Sequence, residues 1–215
     1  MDIKAVIFDM DGLLIDTEKH LVASWMQAAK EFGYDFRYEH GLMLRSLTKQ
    51  YAAPLLKKTF DENFDYHTVR ERRKQIMEER LKECGLERKP GAKELLTFLH
   101  EKGIKTAVAT ATDLERAQRY LKEVDLYDDF DKIVCVSMVE IGKPEPDVYL
   151  YACEQIGEKP EDCMALEDSP NGIRSASRAG LKAVMIPDLS QPDEELLSII
   201  YAKEDTLADV INLLQ

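Results

Sequence analysis

The chain has 215 residues, with 29 Lys+Arg against 41 Asp+Glu, a formal net charge of −12, 45% hydrophobic residues and 33% charged ones. That length is enough to bury a sizeable core in one or two domains, and the apolar content argues against a disordered chain. A charge of −12 argues against a nucleic-acid partner, because neutralising phosphates takes a basic face; a small anionic substrate remains open, since local charge can differ from the total.

The first predicted element is a strand, Ile3-Lys4-Ala5-Val6-Ile7-Phe8, stopped by Asp9-Met10-Asp11-Gly12. From 17 to 84 no convincing strand occurs. Apolar residues there recur at helical spacing (Leu21, Trp25, Ala28, Ala29, Phe32, then Leu55, Leu56, Phe60), and a long helix is expected over 65–83. The stretch is too long for one crossover helix, so it is expected to be an inserted helical domain, 17–84, within a core built from 1–16 and 85–215. It carries 13 Lys+Arg and 11 Asp+Glu, whereas the remainder has net charge −14. Two readings stay open for that contrast: surface chance, or a lid that presents positive charge to an anion.

Residues 85–91 read as the return linker, with Pro90-Gly91 opening a helix over 91–102. Strands are then expected at 104–109, 132–136, 163–166 and 181–186, separated by helices at 113–123, 146–157 and 170–179. The tail, 192–214, reads as helical packing. Near-continuous apolar strands alternating with helices predict a doubly wound, Rossmann-like α/β core with a parallel five-stranded sheet covered on both faces.

Acidic and basic residues within 1–30 leave no signal-peptide stretch, and no apolar run approaches a membrane span. Cys84, Cys135, Cys153 and Cys163 are widely spaced without a C-x-x-C pair, which reads as reduced thiols. A cytoplasmic protein without a membrane partner is expected.

In open α/β sheets ligands bind beyond the carboxyl ends of the strands, where the winding reverses. Those ends carry Asp9 and Asp11, Thr110, Lys143 (after the third strand), and Glu167 with Asp168. Carboxylates crowded in this way repel unless a cation neutralises them, and an oxygen-only set suits Mg²⁺ together with a phosphate. The placement points to phosphoryl chemistry.

Asp9-Met10-Asp11-Gly12-Leu13-Leu14-Ile15-Asp16-Thr17-Glu18 resembles the first motif of the haloacid dehalogenase superfamily. Ala109-Thr110 resembles its second motif, Gly142-Lys143-Pro144-Glu145-Pro146-Asp147-Val148-Tyr149 its third, and Leu166-Glu167-Asp168-Ser169-Pro170-Asn171-Gly172-Ile173 its fourth. D-x-D-G alone is a weak signal; four motifs in order, each at a strand end, form a strong one. The similarity runs over nearly the whole chain and is greatest to β-phosphoglucomutase-like and sugar-phosphatase-like members with a helical cap.

The resemblance implies that Asp9 is the nucleophile, forming an aspartyl-phosphate, and that Asp11 is general acid and then base. A carboxyl that donates a proton near neutral pH needs a raised pKa, and crowding by other carboxylates acts in that direction. It implies that Thr110, Ala111, Lys143 and Gly12 bind the phosphoryl group, and that Gly12 also lets the chain turn sharply just after the acids. Mg²⁺ would be held by Asp9, Glu167, Asp168 and the backbone carbonyl of Asp11. The expected partner is a small phosphorylated metabolite, and the expected assembly a monomer or weak homodimer.

Other readings of the same residues are weaker or structural. Gly12 stands at the wrong position for an EF-hand loop begun at Asp9. Lys143 taken alone would be a solvated lysine. Ser169 is expected to cap the helix that starts at Pro170, Thr112 to be either a turn residue or a ligand, and Asn171 to support the acidic loop. Asp11 argues against dehalogenation and phosphonate hydrolysis, whose family members lack that aspartate. β-Phosphoglucomutases carry a cap histidine after the D-T of motif one; His20 stands one position short of it, and one residue turns a helix face by about 100°. His20 therefore reads as packing, and the phosphatase is preferred over a mutase. A non-catalytic binding protein is the alternative from another class. Arg45 and one of Arg70, Arg72 and Arg73 are expected to touch the substrate's non-reacting groups.

Overall fold

The computed structural model describes residues 3–215. Alternation along β1 (Ala5–Phe8) assigns its side chains to two apolar layers. Val6 and Phe8 join a cluster with Leu95, Leu96 and Leu99, while Ala5 and Ile7 join another with Val148, Tyr149 and Ala152. Every residue of this strand is buried, as a parallel strand covered on both faces must be.

The chain then forms α1 (Glu18–Glu31), α2 (Tyr38–Met43), α3 (Lys49–Thr59) and α4 (Tyr66–Cys84) before re-entering the sheet. After these come α5 (Ala92–Glu101), β2 (Lys105–Thr110), α6 (Leu114–Glu123), β3 (Lys132–Cys135), α7 (Asp147–Ile156), β4 (Cys163–Glu167), α8 (Pro170–Arg178), β5 (Lys182–Met185), α9 (Glu194–Ile199), β6 (Ala202–Lys203) and α10 (Val210–Leu214). The sheet order is β3-β2-β1-β4-β5-β6, parallel throughout. Winding runs outward from β1 through β2 to β3, then returns to β4 on the other side of β1. The reversal therefore falls between β1 and β4, with Phe8 in register with Leu166. α5 and α6 supply one apolar layer and α7 and α8 the other.

The sheet has a sixth strand that the sequence reading, with five, did not include. Residues 192–214 are not helical throughout: β6 lies between α9 and α10. The flanking Tyr201 amide donates to the Ala183 carbonyl at 2.7 Å and the Glu204 amide to Met185 at 2.9 Å, covering the open edge of β5. Two residues are too few to show a period in sequence.

The four helices after β1 enclose an apolar cluster of their own, including Trp25, Phe36, Leu56, Phe64, Val69 and Ile76. Trp25 stacks on Phe36 with ring centroids 6.0 Å apart. The two crossings between these helices and the sheet run side by side. The Asp16 amide donates to the Glu87 carbonyl and the Lys89 amide to the Leu14 carbonyl, each at 2.9 Å, around an antiparallel bridge of Ile15 and Arg88. All four cysteines are free thiols, with Cys84 exposed and the others buried. Among the described residues no helix is long and apolar enough to cross a membrane.

Candidate active site

The reversal between β1 and β4 brings three acidic residues of distant sequence together. Asp9 follows β1, its amide donating to the Leu166 carbonyl at 3.0 Å, while Glu167 ends β4 and Asp168 follows it. Ligand oxygens of Asp9, Glu167 and Asp168 lie within 4.8 Å of one another, and all three side chains are buried. Lys143, also buried, donates to Asp9 Oδ1 at 2.5 Å, Glu167 Oε1 at 2.6 Å and the Ala109 carbonyl at 2.9 Å. Its three ammonium protons are all used. The Tyr149 hydroxyl donates to Glu167 Oε1 at 2.7 Å, and Ser169 Oγ lies 3.3 Å from Oε2. Ser169 also accepts the Gly172 amide at 3.1 Å, capping α8 as its residue type predicts.

Electrostatics here are dominated by burial. Removal from water, reinforced by Glu167 and Asp168 and opposed by Lys143, holds the Asp9 pKa well above the ordinary carboxylate range. Burial likewise raises Asp168 against the pull of Arg45, with Glu18 and Glu167 adding to the rise. Glu18 is pushed up to about 8, first by burial, then by Asp11, Asp9 and Asp188, with Arg45 opposing. Burial alone would lower Lys143, but Asp9 and Glu167 outweigh it and hold the ammonium above its usual value.

Such a set fits a divalent cation. Asp9 Oδ2 and Asp168 Oδ1 are buried without a hydrogen-bond partner. Two oxygens left in that state on neighbouring carboxylates are costly unless a cation takes them. An all-oxygen donor set matches a hard ion such as Mg²⁺. Both Glu167 oxygens are already engaged by Lys143, Tyr149 and Ser169, so the free donors belong to Asp9 and Asp168.

Asp11 stands beside this centre and lines a cavity of about 530 Å³ between the helical segment and the sheet edge. Thr17 Oγ1 donates to one of its oxygens at 2.6 Å and Thr112 Oγ1 to the other at 2.8 Å, fixing the plane of the carboxylate. Thr112 thus holds Asp11 in place as well as making the turn, its amide donating to Thr110 Oγ1 at 3.0 Å. Ala111 and Thr112 line the cavity. Gly12 has φ of +89°, and a Cβ there would fall 2.2 Å from Asp168 Oδ2, so the turn demands glycine.

Several expectations need correcting. The Gly12 amide donates to the Ile15 carbonyl at 2.8 Å, so it is not free for a phosphate. Arg45 does not line the cavity: its guanidinium is buried in an ion pair with Asp168, 3.5 Å from Glu18 and 3.0 Å from Ser190 Oγ. Glu18, Asp168 and Asp188 surround it there and supply the counter-charge that a buried guanidinium needs. Arg72 turns away to make a bidentate pair with Glu31 at 2.6 and 3.1 Å. Arg70 and Arg73 do line the cavity, whereas His20 does not. Asn171 donates to the Arg45 carbonyl at 2.9 Å, which ties the acidic loop to the helical segment.

Glu18, Tyr149 and Asp188 were given no role by sequence reasoning. Glu18 and Tyr149 lie inside the first and third motifs, and Asp188 follows the carboxyl end of β5, so the strand-end rule would have flagged it.

Comparison with known proteins agrees with this geometry. The family model of haloacid dehalogenase-like hydrolases matches residues 3–180. A phosphorylated carbohydrates phosphatase of Thermotoga maritima is 33% identical over 186 residues, which covers 84% of this chain and 83% of that protein. A β-phosphoglucomutase of Bacillus subtilis is 29% identical over 189 residues, covering 84% and 82%. The solved structure of CbbY from Rhodobacter sphaeroides, in complex with phosphate, superposes with a TM-score of 0.79 at 26% identity, covering 97% of this chain and 96% of that one. With its motifs at the ends of the strands around a reversal point, and with the family match spanning most of its length, the chain belongs to the haloacid dehalogenase-like hydrolase family.

Proposed function

We propose that this chain is a Mg²⁺-dependent phosphatase that hydrolyses a small phosphorylated sugar or similar phosphomonoester through an aspartyl-phosphate on Asp9. The observation that carries the reading is the buried Asp9–Lys143–Glu167 chain beside the orphaned oxygens of Asp9 and Asp168, with Asp9 two residues along the chain from Asp11, which lines the cavity. Similarity to the Thermotoga maritima phosphatase supports the substrate class.

Asp9, Asp168 and the Asp11 carbonyl would hold the ion, with Glu167 beside it held by Lys143, Tyr149 and Ser169; when bound, the ion would offset charge on the phosphoryl oxygens. The Asp9 carboxylate attacks phosphorus, forming an O–P bond as the ester P–O bond breaks. Asp11, oriented by Thr17 and Thr112, gives its proton to the departing alkoxide. The same carboxylate then takes a proton from the water that attacks phosphorus, which frees Asp9 and inorganic phosphate. Lys143 fixes Asp9 and balances charge, and Thr110 Oγ1 and Ala111 would hold the transferring group. Helices of 17–84 act as a cap over a core of 1–16 and 85–215, closing on the ester and excluding bulk water.

The test is ³¹P NMR of the protein with Mg²⁺ and a panel of phosphomonoesters that includes β-glucose 1-phosphate with a trace of its bisphosphate. Growth of inorganic phosphate, lost in Asp9→Asn, is expected. Conversion of β-glucose 1-phosphate to glucose 6-phosphate without free phosphate would establish a mutase instead, the reading favoured by similarity to the Bacillus subtilis enzyme. No turnover of any ester would favour a binding protein.

A further inference from the structure

Three arginines share the wall of the cavity into which Asp11 opens: Arg70 and Arg73 on α4 and Arg116 on α6. Arg70 leans on Glu71 at 3.4 Å and Arg116 pairs with Asp113 at 3.2 Å. Arg73 differs from both. It is only 7% exposed, and its Nε has no hydrogen-bond partner. Among the described residues no carboxylate forms a salt bridge with it, while Arg70 and Arg116 act on it as like charges and Tyr66 and Tyr120 oppose them. Burial and the two like charges bring its pKa down to about 10, so it remains charged at neutral pH. The face of Trp25 lies 5.3 Å from the guanidinium carbon.

A buried guanidinium without a counter-ion, flanked by two more, is an unfavourable arrangement in an empty cavity and a favourable one when an anion arrives. Asp113 and Glu140 also line the cavity, so an anion would be drawn to the Arg73 end and not spread over the whole wall. Asp11, Tyr120 and the three arginines line the same cavity, so the arginines share one space with the end at which Asp11 stands.

We propose that Arg73, flanked by Arg70 and Arg116, is a subsite for a second anionic group, carboxylate or phosphate, carried by the same small phosphomonoester that presents its phosphate to Asp9. This rests on the phosphatase reading above. A guanidinium fork takes two oxygens of either group, so the chemistry is shared and the distal group is identified by experiment.

Trp25 is the single tryptophan of the chain, so its emission reports directly on occupancy beside Arg73. Malonate is titrated into the wild type without Mg²⁺ while tryptophan emission is followed. A saturable change is expected in the wild type, absent in Arg73→Met and partly retained in Arg73→Lys. In parallel, kcat/KM is compared for esters that differ only at the far end: 6-phosphogluconate against glucitol 6-phosphate, and fructose 1,6-bisphosphate against fructose 1-phosphate. One acid-bearing ester should be preferred by about tenfold or more, since a hydrogen-bonded charge pair is worth at least that factor. Whichever pair shows the preference names the distal group. Arg73→Met should narrow the preference to about twofold, Arg73→Lys should restore part of it, and Arg116→Gln, at a less buried position, should narrow it to a smaller degree. A purely structural prop for Trp25 would lower stability in Arg73→Met and leave the preference intact, and that result overturns the proposal. Turnover of esters with no preference for a distal acid overturns the subsite while the phosphatase reading stands. An emission change that depends on Arg73, in a protein that turns over no ester, has the opposite meaning: the anion site stands and the phosphatase reading falls.

Discussion

Arg45, in the turn after α2, forms a fully buried ion pair with Asp168, the residue that follows β4. The pair joins the inserted helices to the acidic centre, and it places a fixed positive charge against one of the carboxylates with an orphaned oxygen. Removing one member of a buried pair leaves the other charge uncompensated, so Arg45→Met should lower stability without Mg²⁺ by about 3 kcal/mol. With Arg45 gone, Asp168 Oδ2 is released beside the already unpartnered Oδ1, and Mg²⁺ should raise the urea midpoint of the variant more than that of the wild type. An equal Mg²⁺ effect in both would show that the arginine and the ion do not compete for Asp168.

Asp9→Asn should separate chemistry from folding. The amide keeps the shape, removes one buried carboxylate from a crowded set, and leaves Lys143 its bond to Glu167. Turnover should fall on the order of 10⁴-fold, as expected when a nucleophile is deleted. Thermal midpoint without Mg²⁺ should stay equal or rise. A variant that loses turnover only because it unfolds would remove the support that this substitution gives to the mechanism.

Glu18 gives the metal-free protein an unusual pH dependence. Its pKa lies at about 8 in the folded chain against an ordinary 4.5, because burial disfavours the charged form. Between those values the native state keeps a proton that the unfolded chain has released, so stability falls as pH rises, by ~1.4 kcal/mol per pH unit for one such group. Urea midpoints measured without Mg²⁺ should therefore decline from pH 6 to pH 8, and Glu18→Gln should flatten the slope. Mg²⁺, which favours ionised carboxylates nearby, should add more stability at the upper end of that range. Midpoints that climb over the same interval would contradict the electrostatic account.

Gly172→Ala tests how tightly Glu167 is seated. A Cβ at this position would fall 1.9 Å from the Glu167 carboxyl carbon, inside the first turn of α8. Glu167 must move, and its bonds to Lys143 and Tyr149 go with it. A loss of about 2 kcal/mol in stability and a drop in turnover of about tenfold or more are expected together, read by urea denaturation and by phosphate release. Unchanged turnover would show that Glu167 does not set the position of Lys143.

The strand ends were legible because apolar runs stopped by Asp9, Thr110 or Glu167 mark both an element and its chemical terminus. Once those ends are known, topology does the rest: Asp9 and Asp168 must meet if β1 and β4 are neighbours around a reversal. Arg45 was misplaced for a physical reason. From sequence it is one basic residue among many in a positive segment, and only the packed structure shows that it is enclosed by Glu18, Asp168 and Asp188. The same holds for Arg72 and Arg73 on α4. They are adjacent in sequence, yet one turns out to Glu31 and the other in over Trp25, a difference set by about 100° of helix rotation and by what packs alongside. β6 escaped notice because its pairing partner, not its composition, makes it a strand.

The paired crossings at Leu14–Asp16 and Glu87–Lys89 have an evolutionary consequence. Chain leaves the sheet and returns to it at points one ladder spacing apart, about 5 Å, so the ribbon works as a socket. Any insert whose ends meet at that spacing could be exchanged without re-threading β1 or β2 and without moving Asp9 or Lys143. Under the proposed function, selection could then replace the helices that cover the cavity while the acidic centre stayed fixed, and the two parts of the chain would diversify at separate rates.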